Sequence, residues 1–409
     1  MSDPSAHHEP DRPPHEQHSP PDAQPLSVER PGDALALVKH TFGHLPKDSL
    51  VIIGLSAGTT GGHLRVDLAP VLREPERLGA QCAEWIAGPA AAPAPEAAMA
   101  LIFDSEIPDP DCPDQYEILM AALARGLLEQ AGASLVKVWH VGHGYIRDFQ
   151  SCDVDERESF PGEDADSALS NTLQRIPALV STRASSPLEA LRDFLAPNPL
   201  VTEDQQGRVC GHQAPPPRRS EAVTALWEAA LRRCLREAPA DRRADAGWVH
   251  RSPEQTAALV RTLEHPEHVE ILMALTVTGI DTLEDLLTRG DSDLGTVALT
   301  DAVWGLSCEP PRWERVESLV ALLRHLLPYA ADAQRAQILG LRSWVEWLRG
   351  SGSTASVFAD AVREQYPDLW RSTAAPPVAR SVLACISTLG VCPWAQVKES
   401  SYSWWSGSR

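Results

Sequence analysis

Lysine is scarce in this chain. Only Lys39, Lys47, Lys137 and Lys398 occur, and arginine supplies the rest of the 36 basic residues. The 56 acidic residues outnumber them, giving a formal net charge of -20. Such a balance disfavours a nucleic-acid or anionic-membrane binder, because both partners need a positive protein surface. Long hydrophobic runs are missing as well: none reaches the roughly 18 apolar residues of a membrane span. The opening MSDPSAHHEPDRPPHEQHSP lacks the basic start and apolar stretch of a secretory signal, so a cytoplasmic location is expected. The 8 cysteines include no CxxC pair, and even Cys385 and Cys392 lie too far apart to form one. Buried thiols are the expectation in a reducing compartment.

What is present is ordinary for a globular protein: 409 residues, 43% hydrophobic and 22% charged, enough for two domains. Residues 1–26 are rich in Pro, His, Asp and Glu and read as a disordered tail. Its His7, His8, His15 and His18 have no fixed geometry that would make a metal site. Pro31 opens a predicted helix with Leu35, Leu37, Val38 and Phe42 on its apolar side. Leu50–Leu55 and His63–Leu68 read as strands, followed by a helix over Glu74–Ala87. Ala98–Phe103 is a third strand, and Gln115–Gln130 a helix closed by Gly132. Leu135–Val141 and Tyr145–Phe149 are two more strands joined by a short turn. Strands separated by helices of this length imply an α/β domain with a mixed sheet over 29–200.

Short helices are predicted at Ala165–Leu173 and Pro187–Leu195. DQQGRVCGHQAPPPRR, residues 204–219, reads as the linker. An all-α domain over 220–394 follows, with helices near 221–236, 253–264, 267–277, 314–327, 333–348, 353–364 and 375–389. Leu319, Leu322, Leu323, Leu326 and Leu327 share one apolar face of it, and Trp344, Trp347 and Leu348 another. No fixed repeat period is visible. The last residues, 395–409, form an aromatic tail that either packs back or takes a partner.

Several segments in this order resemble an actinobacterial domain-of-unknown-function family, the one numbered 4192. They are ERPGDALALVKHTFGHLPKDSLVIIGL with the strand Arg65-Val66-Asp67-Leu68, then ALIFDSE and Gly144-Tyr145-Ile146-Arg147. VSTRASSPLEAL and AQRAQILGLRSWVEWLRGSG continue the series, and the similarity spans roughly 29–394. The resemblance implies architecture more than activity. It marks Pro46, Asp48, Ser49, Arg65, Asp67, Asp104, Arg147, Cys152, Arg183, Trp347 and Gly350 as positions to follow. Where relatives carry several close cysteines after the hairpin, this chain has Cys152 alone, so a zinc loop loses its ligands.

The pentapeptide GLSAG, Gly54 to Gly58, matches the pattern of a hydrolase nucleophile. That chemistry requires a helix after the serine, so that its N-terminal amides meet the oxyanion. TTGG and a second strand follow instead, so Ser56 reads as a residue of a hairpin turn. Nor do these glycines form a phosphate loop. Asp104 and Glu106 follow a predicted strand end, where ligand crevices of α/β sheets open, but the proline-rich surroundings also fit an acidic loop. His140 and His143 flank a turn and suit acid–base work, although a turn histidine bonded to backbone is the simpler reading. Arg147 and Arg183 require an acidic partner if buried, with Asp67 or Asp104 as candidates, or else an anionic ligand.

The candidate polar cluster is therefore Arg65, Asp67, Asp104, Glu106, His140, Arg147 and Arg183, with no catalytic set, metal or cofactor expected. The leading reading is a non-enzymatic interaction or regulatory module whose partner is a protein or an anionic small molecule. The alternative is a small-molecule sensor or hydrolase-like enzyme using a cleft near Asp104, Arg147 and His140. DNA regulation ranks third, since no basic recognition helix is evident.

Overall fold

Leu50 to Ile53 and Ala98 to Phe103 carry no charge, and both become central strands because each can bury both faces. The computed structural model describes residues 28, 31–42, 45–56, 59–88, 94–104, 114–142, 145–149, 158–159, 186–212, 219–238, 244–289, 293–307, 309–373 and 376–407. The Pro/His-rich tail, the helix expected at 165–173, and Glu106, His143, Cys152 and Arg183 lie outside these residues.

The strands are β1 (Ser49–Ser56), β2 (Thr59–Asp67), β3 (Ala97–Phe103), β4 (Ser134–Gly142), β5 (Tyr145–Asp148) and β6 (Glu158–Ser159). They form a mixed sheet in the order β2-β1-β3-β4-β5-β6. Only β3 and β4 are parallel; β1 runs antiparallel to both its neighbours, and β4 to β5. Helix α1 (Pro31–Phe42) covers one face, placing Leu35 and Val38 in a cluster with Val51, Ile53, Leu101 and Trp139. The other face meets α2 (Leu68–Arg73), α3 (Pro75–Ala87) and the crossover helix α4 (Asp114–Ala131). There Leu50, Ile52 and Ile102 pack with Cys82, Leu119 and Leu123. Gly132, with φ +63°, reverses the chain after α4 as expected.

The hairpin at Ser56 is tighter than the sequence suggests. Ser56 pairs with Thr59, and the expected loop residues Thr59–Gly62 already belong to β2. Leu68, expected as strand, is instead the first residue of α2, where it is buried. The pairing shifts register between Ile53 and Leu55, and the irregularity absorbs the glycines within the ladder.

The rest of the described chain is helical: α5 (Pro187–Leu195), α6 (Glu203–Cys210), α7 (Ser220–Arg236), α8 (Pro253–Thr262), α9 (Pro266–Thr278) and α10 (Ile280–Arg289). There follow α11 (Asp293–Val303), α12 (Trp313–Leu326), α13 (Asp332–Leu348), α14 (Gly352–Gln365), α15 (Pro367–Arg371), α16 (Val378–Leu389), α17 (Pro393–Gln396) and α18 (Tyr402–Gly407). Helices α10 and α11 had no counterpart in the sequence reading. The stretch expected as a linker begins instead with α6. Thr202 caps it by accepting from the Gln205 amide at 3.3 Å while its own amide donates to Gln205 at 3.0 Å. Val209 and, from α5, Phe194 then enter the helical core.

That core is rich in tryptophan, and several of its indoles find polar partners. Trp227 donates to Thr262 Oγ1 at 3.0 Å, Trp344 to the Val303 carbonyl at 3.0 Å, and Trp313 to that of Ser400 at 3.1 Å. The last contact holds the aromatic tail down: Tyr402 meets Trp313 edge-on at 5.3 Å, and Arg349 lies 4.4 Å over the Tyr402 ring. The two regions also meet. Val391 packs against the α/β core, and a Cβ on Gly390 (φ +70°) would overlap the Trp85 indole of α3. Only glycine satisfies both the left-handed backbone and this close approach.

Candidate functional site

Two places gather polar side chains. The first is the end of the sheet where β3 and β4 finish. Phe103 faces α1, so strand alternation turns the next residue, Asp104, toward α4. Its carboxylate accepts a hydrogen bond from the Tyr116 hydroxyl of α4, and its amide donates to the Val141 carbonyl at 3.0 Å. His140, on the same face, lies 6.2 Å from the Tyr116 ring, centre to centre. As expected it lies in the strand that leads into the turn, but it is buried rather than at the surface. Strand β4 continues to Gly142, so His140 sits inside it, 1% exposed, opposite Ile102 and Arg147. Arg147 thus shares a register position with His140.

Arg65 and Asp67 occupy the opposite face. Arg65 stands opposite Val51 and donates from Nε to Ser49 Oγ at 3.1 Å. Asp67 is paired across the ladder with Ser49 and lies 3.9 Å from the Arg65 guanidinium, a loose ion pair. Burial lowers the Arg65 pKa, and Asp67 opposes that shift. Asp48 completes this corner: its backbone has φ 45°, and its carbonyl accepts the Leu68 amide at 2.8 Å. Asp48, Ser49, Arg65 and Asp67 therefore build the junction between β1, β2 and α2. Farther along the chain Trp347 is buried, and Gly350 lies where a Cβ would come within 2.7 Å of Ala395. The cluster expected from the sequence is divided by the sheet, with Asp104 and His140 on one side and Arg65 and Asp67 on the other.

The second place was not found from the sequence. His250 lies in a 3-10 turn, Gly247–Arg251, and its Nδ1 is 2.7 Å from the Tyr329 hydroxyl. Its Nε2 is 2.8 Å from Nδ1 of His325, at the end of α12. Asn198 Nδ2 approaches both rings, at 3.5 and 3.4 Å, while its Oδ1 accepts the Leu200 amide at 3.0 Å. Burial lowers the His250 pKa, and Arg251 adds to the effect against a smaller opposing pull from Asp245. A cavity opens on each side of this chain of rings. One, of about 230 Å³, is lined by Gln205, Arg208, His250, Arg251 and Pro253. The other, of about 330 Å³, reaches His325, Arg324, Glu317 and Asp245. No signal in the sequence marked these residues, because His250 and His325 are 75 positions apart and follow no motif.

Among the described residues no group of three or more His, Cys, Asp or Glu side chains is placed to hold a metal ion. The thiols of Cys82, Cys234 and Cys392 are pushed up to about 12 by burial, which keeps them protonated and unreactive. No described helix is long and apolar enough to cross a membrane. No curated protein and no solved structure matches the chain. A family model does match, over residues 31–370, and it covers the sheet, both polar clusters and most of the helical core. The chain belongs to the family described as Domain of unknown function (DUF4192).

Proposed function

We propose that this protein is a non-enzymatic regulatory module in which the α/β and helical regions respond as one body. The observation that carries this reading is the state of its best acid–base candidates. Asp104 accepts the Tyr116 hydroxyl, and His140 is 1% exposed in the interior of the sheet. A general base has to reach a substrate proton within hydrogen-bond distance, and a histidine so enclosed has no open side for one. The seam at Trp85 and Gly390 supports the second half of the reading, since a shift of α3 displaces the end of α16.

A second reading, a sensor or hydrolase-like enzyme at Asp104 and His140, draws support from one fact: these side chains gather at the carboxyl ends of the two parallel strands. One experiment separates the two. The purified full chain is assayed against ester and phosphoester substrates beside its His140→Ala variant. The regulatory reading expects no turnover from either protein. Turnover that His140→Ala abolishes, with the circular-dichroism spectrum retained, overturns it in favour of the enzyme.

A further inference from the structure

Three cationic or protonatable side chains, Arg208, Arg251 and His250, line one small cavity in a chain whose net charge is -20. Among the described residues no carboxylate lines it with them. Both arginines are exposed at the rim, where Arg208 leans on Asp204 at 3.0 Å and Arg251 on Glu237 at 3.3 Å. Exposed pairs of this kind are weak and exchange readily for a better anion. Gln205 adds an amide donor. At about 230 Å³ the cavity is smaller than a drug-sized pocket, so its occupant has few heavy atoms.

The back wall has its own proton chemistry. The contact of 2.8 Å between His250 Nε2 and His325 Nδ1 requires one N–H between the two nitrogens. In one neutral arrangement the Tyr329 hydroxyl donates to His250 Nδ1, and His250 Nε2–H donates to His325. An added proton is then taken at His250 Nδ1, and Tyr329 turns from donor to acceptor without moving its oxygen. The cation so formed is spread along the pair. The charged or titratable groups facing His250 are His325, Tyr329, Arg251 and Asp245, with Arg208 across the cavity and Cys210 beside Tyr329. Without an anion, burial and Arg251 favour the neutral form of His250. A negative charge in the cavity reverses that preference by opposing both arginines.

We propose that the cavity bounded by Gln205, Arg208, His250, Arg251 and Pro253 binds a small oxyanion, a phosphoryl or carboxylate group, and that the His250–His325 pair takes up a proton as it binds. The arginines and Gln205 make the direct contacts, and His250 contributes charge from behind them. The inference goes beyond the regulatory reading, because binding is measured without reference to turnover.

Sulfate and acetate are suitable probes, since neither titrates near neutral pH and any proton taken up belongs to the protein. Calorimetric titration of the full chain with each, in two buffers of different ionisation enthalpy, reads affinity and proton uptake together. Saturable binding of sulfate assigns a phosphoryl-type ligand, and saturable binding of acetate alone assigns a carboxylate. Affinity is expected to fall by up to about tenfold for each pH unit between the titration of the free pair and that of the bound pair, and to be flat above both. Arg208→Ala/Arg251→Ala, at two exposed positions that leave the fold intact, is expected to weaken binding at least about tenfold. His250→Gln is expected to weaken binding to a level that no longer depends on pH and to remove the buffer-dependent enthalpy. Absence of saturable binding of both probes, or binding indifferent to the double arginine variant, overturns the site. Binding with no proton uptake overturns the role of the histidine pair.

Discussion

The sheet and the helical region solve the problem of buried polarity in different ways. In the sheet, backbone ladders consume the polar groups of the chain, and the strands bring mostly aliphatic side chains to the interior. Charged residues stay near strand ends, as Arg65, Asp67 and Asp104 do. The helices satisfy most of their backbone groups internally, so contacts between them are made mainly through side chains, and charges are carried inward. Arg315 of α12, 5% exposed, forks onto Glu228 of α7 at 2.6 and 3.3 Å and donates to the Leu275 carbonyl at 3.1 Å. Arg349 bonds Glu346 at 2.9 Å and also Glu317, and Arg342 shares Glu346 from the previous turn. Burial raises the Glu228 and Glu346 carboxyls, but the facing arginines outweigh it and leave both below their ordinary value. Charge in the sheet therefore stays at its ends, whereas in the helices it is buried and paired, partly with a neighbour one turn away and partly with partners distant in sequence.

The strongest test of that contrast removes one such partner. Arg315→Met is expected to cost up to about 3–5 kcal/mol by leaving the buried Glu228 with only the exposed Arg232 as a partner, read as a shift in urea midpoint. Adding Glu228→Leu is expected to restore much of the loss, because the desolvated charge is then gone. A double variant as unstable as the single would show that packing, not charge, holds α7 against α12. Next in size is Gly390→Ala, with an expected cost of about 2–4 kcal/mol from strain and overlap with Trp85. Trp85→Ala should relieve the steric part of that cost. If the seam joins the two regions into one cooperative unit, Gly390→Ala also divides a single unfolding transition into two.

A smaller effect concerns pH. His250 and His268 both have folded pKa values below 6.5, each first because of burial. Their protons bind the unfolded chain more readily, so the stability they contribute is complete above about 6.5 and is lost as pH falls through the lowered folded values. The carboxylates titrate mainly below this window. Thermal midpoints measured between about pH 7.5 and 5.5 are expected to fall, and His250→Gln or His268→Gln to flatten the slope. A wild-type midpoint that does not move would remove both histidines from the stability account. Smallest of all, Ser56→Ala at the tip of the β1–β2 hairpin is expected to stay within about 0.5 kcal/mol and to leave function unchanged. A specific loss of activity with the fold intact would make Ser56 a nucleophile after all.

Much of the architecture was legible before any coordinates. Uncharged runs marked β1 and β3, apolar spacing marked α12 and α13, and Pro31 and Gly132 marked helix ends. Ser56 could be reassigned to a hairpin because the residues after it lack helix character, and its pairing with Thr59 bears this out. The candidate cluster was legible only in part. Asp104 and His140 do approach one another through Tyr116, but Arg65 and Asp67 face away. One position of register decides on which side of a strand a side chain lies, and sequence reading places strand ends less finely than that.

Composition, apolar periodicity and turn residues determined by themselves where strands and helices form, because those preferences act over a few neighbouring residues. They also determined the acidic balance. Only the tertiary structure decided that Asn198, His250, His325 and Tyr329 share one cluster, that Arg315 meets Glu228, and that Trp85 lies on Gly390. Each of these contacts joins residues tens to hundreds of positions apart. Their geometry follows from how whole helices and the sheet pack, which no local pattern of residues records.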